Sequence, residues 1–382
     1  MNFELSEEHE LVRSTVRQFA QRELAKVEER MDKEDYFPLD LFKKLGEIGM
    51  LGITVPSEYD GAGLDYISQA ICLEELSRVS PAFALSVGAH SNLCLDNLYR
   101  NGNKKQREEI VPKLATGKWI GCLALTEPSS GSDALSLQTT AQKRNDMYVL
   151  SGSKTFITNA PVADVAIVYA RTAPELGHRG LSAFVVALNK EGVRRGRQFD
   201  KMGMRGSPTG ELFFDECVLE KDALLGAENE GTSIIMSGLS VERAVLAGIS
   251  LGIQEQAAEL AVRYARERRQ FGVPIAQFEM IQEKIANMYV NIEASRLLIY
   301  KALMLLQKDK GRNREAAAAI LFAAEGSTRT ALDAIQIMGG YGYMREFKVE
   351  KLMRDAKLLE IGAGTSEIRR LIIAKDVLEK GL

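Results

Sequence analysis

A chain of 382 residues is long enough for two or three packed regions, each with its own core. Its 46% hydrophobic and 26% charged residues are those of an ordinary water-soluble protein. The formal net charge of -3 argues against nucleic acid as a partner, because phosphate binding needs a clear basic excess. A local cluster, Arg194, Arg195 and Arg197, reads as a solvated loop, with contact to an anionic ligand as the alternative. The opening MNFELSEEHELVRS has too many acids for a transit peptide, and no apolar run approaches bilayer-spanning length, so no membrane is expected. Cys72, Cys94, Cys122 and Cys217 lie far apart with no CxxC pair, which predicts reduced, mostly buried thiols and a cytoplasmic location.

Residues 1–120 read as helical. Ser6 before Glu7, Glu8 and His9 suits a cap and an acidic first turn, and Leu11, Val12, Val16 and Phe19 follow at helical spacing. Leu41, Phe42, Leu45 and Ile48 continue that period after Pro38. PSEYDGAGLD is a loop by composition, and Ile71 to Val79 and Ala82 to Tyr99 read as further helices. Over residues 121–228 the period changes. MYVLSGSKTFITNA, DVAIVYART, LSAFVVAL and ELFFDECVL alternate with turn signals, predicting antiparallel strands in a small barrel or sandwich. Over residues 229–382 the helical period returns. One very long helix spans Gly231 to Gln270 and breaks at Phe271-Gly272-Val273-Pro274. Gln277 to Lys308 and Glu315 to Met338 follow, then a turn at GGYGY and a closing helix. The expected fold class is α+β and multidomain, in the order α, β, α.

No GxGxxG opens a helix after a strand and no GxxxxGK[ST] occurs, so Rossmann and P-loop readings fail. The histidines are His9, His90 and His178, none in metal-ligand spacing, which leaves no expected metal and little material for a serine triad. Carboxylates remain as the candidates for proton chemistry. Two segments look unusual for plain structure. In LALTEPSSGSD (123–133), Thr126, Ser129, Ser130 and Ser132 with Gly131 offer hydroxyls and free N–H groups to the polar edge of a ligand; a turn-rich connection is the alternative. In EIGAGTSEIRR (360–370), Gly362 and Gly364 flank Ala363, and Thr365, Ser366 and Glu367 read as a helix cap before Ile368.

Taken in order, LALTEPSSGSD, KTFITNA, RERRQFG, DAIQIMGGYGY and LMRDAKLLEIGAGTSEIRRLI resemble the acyl-CoA dehydrogenase family, and with the helical N-terminal part the resemblance covers essentially the whole chain. Within that family, GAHSNLC at 88–94, KMGMRG at 201–206 and SGLSVERAVLAG at 237–248 are most similar to isovaleryl-CoA dehydrogenases. The resemblance implies an N-terminal helical domain (1–120), a middle β-domain (121–228) and a C-terminal four-helix bundle (229–382). It also implies bound FAD, an acyl-CoA substrate, electron-transferring flavoprotein as acceptor and a homotetramer in which a neighbouring subunit completes the flavin site. The flavin contacts it implies are Leu125, Thr126, Gly131 and Ser132, with Phe156 and Thr158 beside the isoalloxazine. Ser132 is expected to contact substrate as well. Arg268, Gln270, Phe271, Gln336 and Gly340 match positions reaching the partner's FAD, and Thr365 and Glu367 match positions near the adenosine and pyrophosphate. Phe156 stands where many relatives have tryptophan, keeping an aromatic face without the indole N–H.

The family reaction removes an α-proton with a carboxylate as hydride leaves the β-carbon. Most members carry that glutamate just before the GTS of the C-terminal loop, where this chain has Ala363. Members of the isovaleryl and long-chain types place it on the long helix, and the matching residue here is Glu242, beside Arg243. The main-chain N–H of Ala363, with a ribityl hydroxyl of FAD, is then expected to bind the thioester oxygen. Gly362 stands where straight-chain enzymes often have tyrosine, so Gly362 and Ala363 imply room for a branch near the β-carbon. Ser240 replaces an aspartate that often meets the pantetheine arm, which leaves other short-chain or alicyclic acyl-CoAs open alongside isovaleryl-CoA. A flavin oxidase or monooxygenase on the same fold, and a non-catalytic homologue, are the competing readings.

Overall fold

In the computed structural model the described residues are 4–309 and 311–381; residues 1–3, 310 and 382, which fall within the ranges drawn above, lie outside them. The N-terminal region holds α1 (Glu7–Arg22), α2 (Glu28–Glu34), α3 (Leu39–Glu47), α4 (Tyr66–Ser77) and α5 (Pro81–Gly88), then α6 (Asn97–Asn101), α7 (Lys104–Glu109) and α8 (Val111–Ala115). The cap expected at Ser6 is a capping box: Ser6 Oγ accepts the His9 N–H at 3.2 Å, and His9 Nδ1 accepts the Ser6 N–H at 3.4 Å. Asp65 caps α4, and Ser80 followed by Pro81 starts α5. Every residue of these two helices is buried. The single helix expected over 82–99 is interrupted by a π-helical segment, Ala89–Asp96, whose wider turn no period of 3.6 announces.

The middle strands are β1 (Gly121–Ala124), β2 (Thr140–Arg144), β3 (Met147–Thr158), β4 (Val165–Arg171), β5 (Leu181–Ala187), β6 (Val193–Gln198), β7 (Thr209–Glu220) and β8 (Leu224–Leu225). They form one eight-stranded sheet in the order β6-β7-β3-β2-β4-β5-β8, with β1 beside β4. The pairing is mostly antiparallel, but β1 and β2 each run parallel to β4. A parallel pair needs a long crossover, and strand composition alone does not reveal one. Arg194 and Arg195 lie on β6, the first over the Phe213 ring at 4.1 Å and the second donating to the Ala163 carbonyl at 2.6 Å, so this cluster has local structural partners.

The C-terminal region consists of α9 (Gly231–Glu267), α10 (Glu279–Lys308), α11 (Asn313–Met338), α12 (Val349–Leu359) and α13 (Ser366–Lys380). The closing helix is thus two, and a short ribbon, Arg269–Gln270 with Val273–Pro274, ends α9. One correction concerns α9. An 18-residue stretch of it is long and apolar enough to cross a membrane, contrary to expectation, but 83% of that stretch is buried inside the protein. Its apolar surface is explained by packing against α4, α10 and α11. Small residues allow the approach to α4: a methyl on Gly248 would lie 2.6 Å from the Ala70 carbonyl, and one on Gly252 would collide with Ser77 Oγ and the Glu74 carbonyl.

The KMGMRG loop ties the regions together. Met204 N–H donates to Asp355 on α12 at 2.5 Å, and Lys351 bridges Asp355 at 2.6 Å and Glu28 of α2 at 3.1 Å. Arg354 forks onto Asp32 at 2.8 and 2.9 Å. The four cysteines are free and buried, as their spacing predicted.

Candidate active site

Glu242 lies on the first half of α9 and is 5% exposed. The π-helical segment runs alongside it: a methyl on Gly88, just before that segment, would reach Leu246, and one on Gly238 would come within 3.4 Å of Asn97, just after it. Burial pushes the Glu242 carboxyl from its ordinary 4.5 up to about 7, against the pull of the Arg243 and Arg369 guanidinium groups. A base whose pKa matches the working pH combines availability with proton affinity.

The loop between α12 and α13 meets Glu242's helix through Arg243. Arg243 is 4% exposed, and its Nε donates to the Ala363 carbonyl at 3.1 Å. Ala363 has a φ of +55°, a left-handed conformation uncommon for a residue with a Cβ. Gly364, at φ +90°, lets the chain pass beside Arg243. Thr365 Oγ1 accepts the Ile368 N–H at 3.3 Å and caps α13, which begins at Ser366 rather than Ile368. Glu367 is exposed in the first turn. A methyl on Gly362 would come no closer than 3.5 Å to the Leu358 carbonyl, so the loop presents no bulk there. Ser240 is fully buried, with its hydroxyl donating to the Met236 carbonyl at 2.9 Å and facing Asn313 Oδ1 on α11.

A second set of residues lies at the ends of β1 and β3. A bulge in the β3–β7 pairing between Lys154 and Ile157 turns Phe156 outward at φ +57° and 68% exposure, its ring 5.3 Å from that of Phe199. Leu125 is buried, while Thr126 and Thr158 are half-buried and Gly131 and Ser132 exposed. Beneath them is a pair the sequence reading had not singled out. Lys154, fully buried, donates to the Leu125 carbonyl at 3.1 Å and to Glu127 at 2.8 Å. Glu127 also accepts the N–H groups of Gln138 and Thr139 at 2.5 and 2.9 Å. Burial draws Lys154 down to about 8 and opposes both charges, yet Lys154 holds Glu127 below the usual carboxylate range. The signal was present in the sequence, since Lys154 falls in KTFITNA and Glu127 in LALTEPSSGSD, and a buried charge needs a partner.

A third set lies at the far end of α9, about 39 Å along the helix from Glu242 at 1.5 Å per residue. Arg268, Gln270 and Gly340 line one groove of about 600 Å³, with the Arg268 guanidinium 5.7 Å from the Tyr341 ring. Phe271 is 95% exposed and Gln336 is exposed on the last turn of α11. The expected residues therefore lie in three sets, the third separated from Glu242 by most of the length of α9.

The family model for the acyl-CoA dehydrogenase N-terminal domain matches residues 6–118, that for the middle domain 122–217 and that for the C-terminal domain 229–378. The chain belongs to the acyl-CoA dehydrogenase family. Isovaleryl-CoA dehydrogenase of Pongo abelii is 44% identical over 97% of this chain and 89% of its own. Butyryl-CoA dehydrogenase from Megasphaera elsdenii superposes with a TM-score of 0.97 at 35% identity, covering 99% and 100% of the two chains. A chain solved in work on the electron transferring flavoprotein of Acidaminococcus fermentans reaches a TM-score of 0.98 at 39% identity, with both chains fully covered.

As a member of this family the protein is an FAD-dependent acyl-CoA dehydrogenase, and the residues present fit the cofactor. Phe156 offers an uncovered aromatic face, and the space beside Gly131 and Gly340 is open. The hydroxyls of Thr126, Ser132 and Thr158 have no protein hydrogen-bond partner among the described residues. Two histidines, by contrast, serve structure. His9 belongs to the α1 cap, and buried His90 sits between the Leu114 carbonyl and the Gly121 N–H, its pKa lowered by burial to about 4.

Proposed function

We propose that the protein dehydrogenates a short, branched acyl-CoA, isovaleryl-CoA in the first instance, to its 2-enoyl-CoA, with Glu242 as the base. The observation that carries this reading is a carboxylate 5% exposed, with a pKa near 7, joined through the adjacent Arg243 to a loop whose usual acidic position is Ala363. In the reaction two C–H bonds break and one C=C bond forms, with the α-proton ending on the Glu242 carboxylate. Bound FAD supplies the two-electron acceptor for the hydride that leaves the β-carbon. The Ala363 N–H binds the thioester oxygen as it gains charge, a contact of the kind worth about 3 kcal/mol in the transition state. Alanine serves as well as glutamate there because the donor is main chain. Arg243 holds the loop against α9 so that base and donor share one frame.

The preference for a branched chain is supported by the missing bulk at Gly362 and Ala363 and by the isovaleryl-CoA dehydrogenase of Pongo abelii. In the same reading, Leu125, Thr126, Gly131, Ser132, Phe156, Thr158, Thr365 and Glu367 hold FAD. Arg268, Gln270, Phe271, Gln336 and Gly340 reach a neighbouring subunit's FAD in a homotetramer. Their distance from Glu242 and the exposure of Phe271 support that division. Domain limits at 120/121 and 228/229, electron-transferring flavoprotein as acceptor and a cytoplasmic location complete the proposal. The test is direct. Purified yellow protein should bleach with isovaleryl-CoA, and Glu242→Ala should retain FAD yet fail to bleach; full activity in that variant overturns the assignment. Vigorous peroxide formation without an added acceptor would favour an oxidase.

A further inference from the structure

Arg369 lies on α13 with none of its surface exposed. A buried guanidinium normally finds an acceptor for each of its N–H groups. Here only Nη2 does so, donating to the Leu359 carbonyl at 2.7 Å and to the Gly362 carbonyl at 2.6 Å. Nε and Nη1 have no partner among the described residues, and Nη1 of neighbouring Arg243 is likewise unpartnered. The charges of Arg243 and Arg369 also bear on the Glu242 carboxyl, which is 5% exposed, and Arg369 faces Glu325 and Glu360 besides.

The acceptor at Gly362 is the informative one. Its oxygen belongs to the peptide joining Gly362 to Ala363, and a trans peptide is planar, with its C=O and N–H pointing opposite ways. Fixing the Gly362 oxygen therefore fixes the direction of the Ala363 N–H. On the other side of the same residue, Arg243 Nε holds the Ala363 oxygen at 3.1 Å. Ala363 is gripped at both flanking carbonyls, in a left-handed conformation that persists only where its surroundings enforce it. Arginine suits the task because its planar fork stays charged and sends two hydrogens from one nitrogen in fixed directions.

We infer that Arg369 is a positioning residue for thioester activation: it orients the Ala363 N–H toward the substrate's carbonyl oxygen and keeps a positive charge beside that oxygen as it becomes negative. This rests on the proposed roles of Glu242 and Ala363. The burial that draws the Arg369 guanidinium down to about 10 leaves it charged at neutral pH.

The test uses FAD-containing Arg369→Gln and Arg369→Lys, each alone and combined with Glu242→Gln, in which bound isovaleryl-CoA should not react. The readouts are kcat, KM and the thioester carbonyl stretch of bound isovaleryl-CoA by isotope-edited difference infrared spectroscopy. In Arg369→Gln the stretch should move back toward its frequency in free solution. Its kcat should fall on the order of 100-fold, with KM within a few-fold, and Arg369→Lys should recover part of both. A purely packing role predicts lost FAD and a lower melting temperature, but an unchanged stretch in molecules that keep FAD. An unchanged stretch and kcat in folded Arg369→Gln overturn the inference. If that variant does not fold, Arg369→Lys decides: partial loss of both supports the inference, and unaltered values overturn it. Failure of the Glu242 reading is separate, since it appears as turnover by Glu242→Gln while the stretch still depends on Arg369.

Discussion

Glu242 should make the protein less stable where it makes it active. Its carboxyl is moved by burial from 4.5 to about 7, which corresponds to about 3 kcal/mol. The folded chain therefore keeps a proton that the unfolded chain has already released. This favourable contribution is complete below pH 4.5, is lost as pH rises toward 7, and is absent above it. About 1 kcal/mol is gone by pH 5 and about 3 kcal/mol by pH 8. Glutamine in place of Glu242 resembles the protonated acid and carries no such loss. Glu242→Gln should thus melt higher than the wild type at pH 8, with the gap between them wider than at pH 5 by roughly 2 kcal/mol or on the order of 3 °C for a chain of this length. Glu74, buried and also raised to about 7, slopes the curve the same way in both proteins, so the difference between them isolates Glu242. The same titration should appear in catalysis, with wild-type kcat rising through an apparent pKa near 7, because the base must be ionised. Scanning calorimetry at pH 5 and 8 reads the first effect and stopped-flow flavin bleaching the second. A gap equal at both pH values, with kcat flat across this range, would refute the reasoning.

Lys154→Met should destabilise by about 3–5 kcal/mol and lower FAD content, because Glu127 is left charged and buried; the double variant with Glu127→Gln should recover much of the loss. Equilibrium denaturation and absorbance at the flavin band check both. Gly252→Ala should cost about 1–3 kcal/mol, since its methyl would collide with Ser77 and the Glu74 carbonyl where α9 crosses α4, and a melting temperature equal to wild type would contradict that crossing.

Helix regions were legible because burial of one face imposes a period, as at Leu41, Phe42 and Leu45, and β4 was legible as a short continuous apolar run, buried on both faces. The Ala89–Asp96 π segment was not, since adding one residue per turn leaves composition unchanged. Nor was the parallel pairing of β1 with β4, which depends on where the intervening chain travels. The motifs marked Thr126, Phe156 and Ala363 as expected site residues, and the outward turn of Phe156 needed the bulge opposite β7 to be seen.

From the sequence alone came the family, the expectation that Glu242 serves as base in place of a glutamate at position 363, and the residue types available for FAD and substrate. Those depend on which side chains stand in which order, and order is what a sequence records. Tertiary structure decided how much water Glu242 meets, hence its pKa, and which buried charges are held by which carbonyls. Lys154 on β3 finds Leu125 and Glu127 in the segment that follows β1, and Arg369 finds Gly362 across a loop. Desolvation and Coulomb interaction both depend on distance through space, and that distance exists only once the chain has folded.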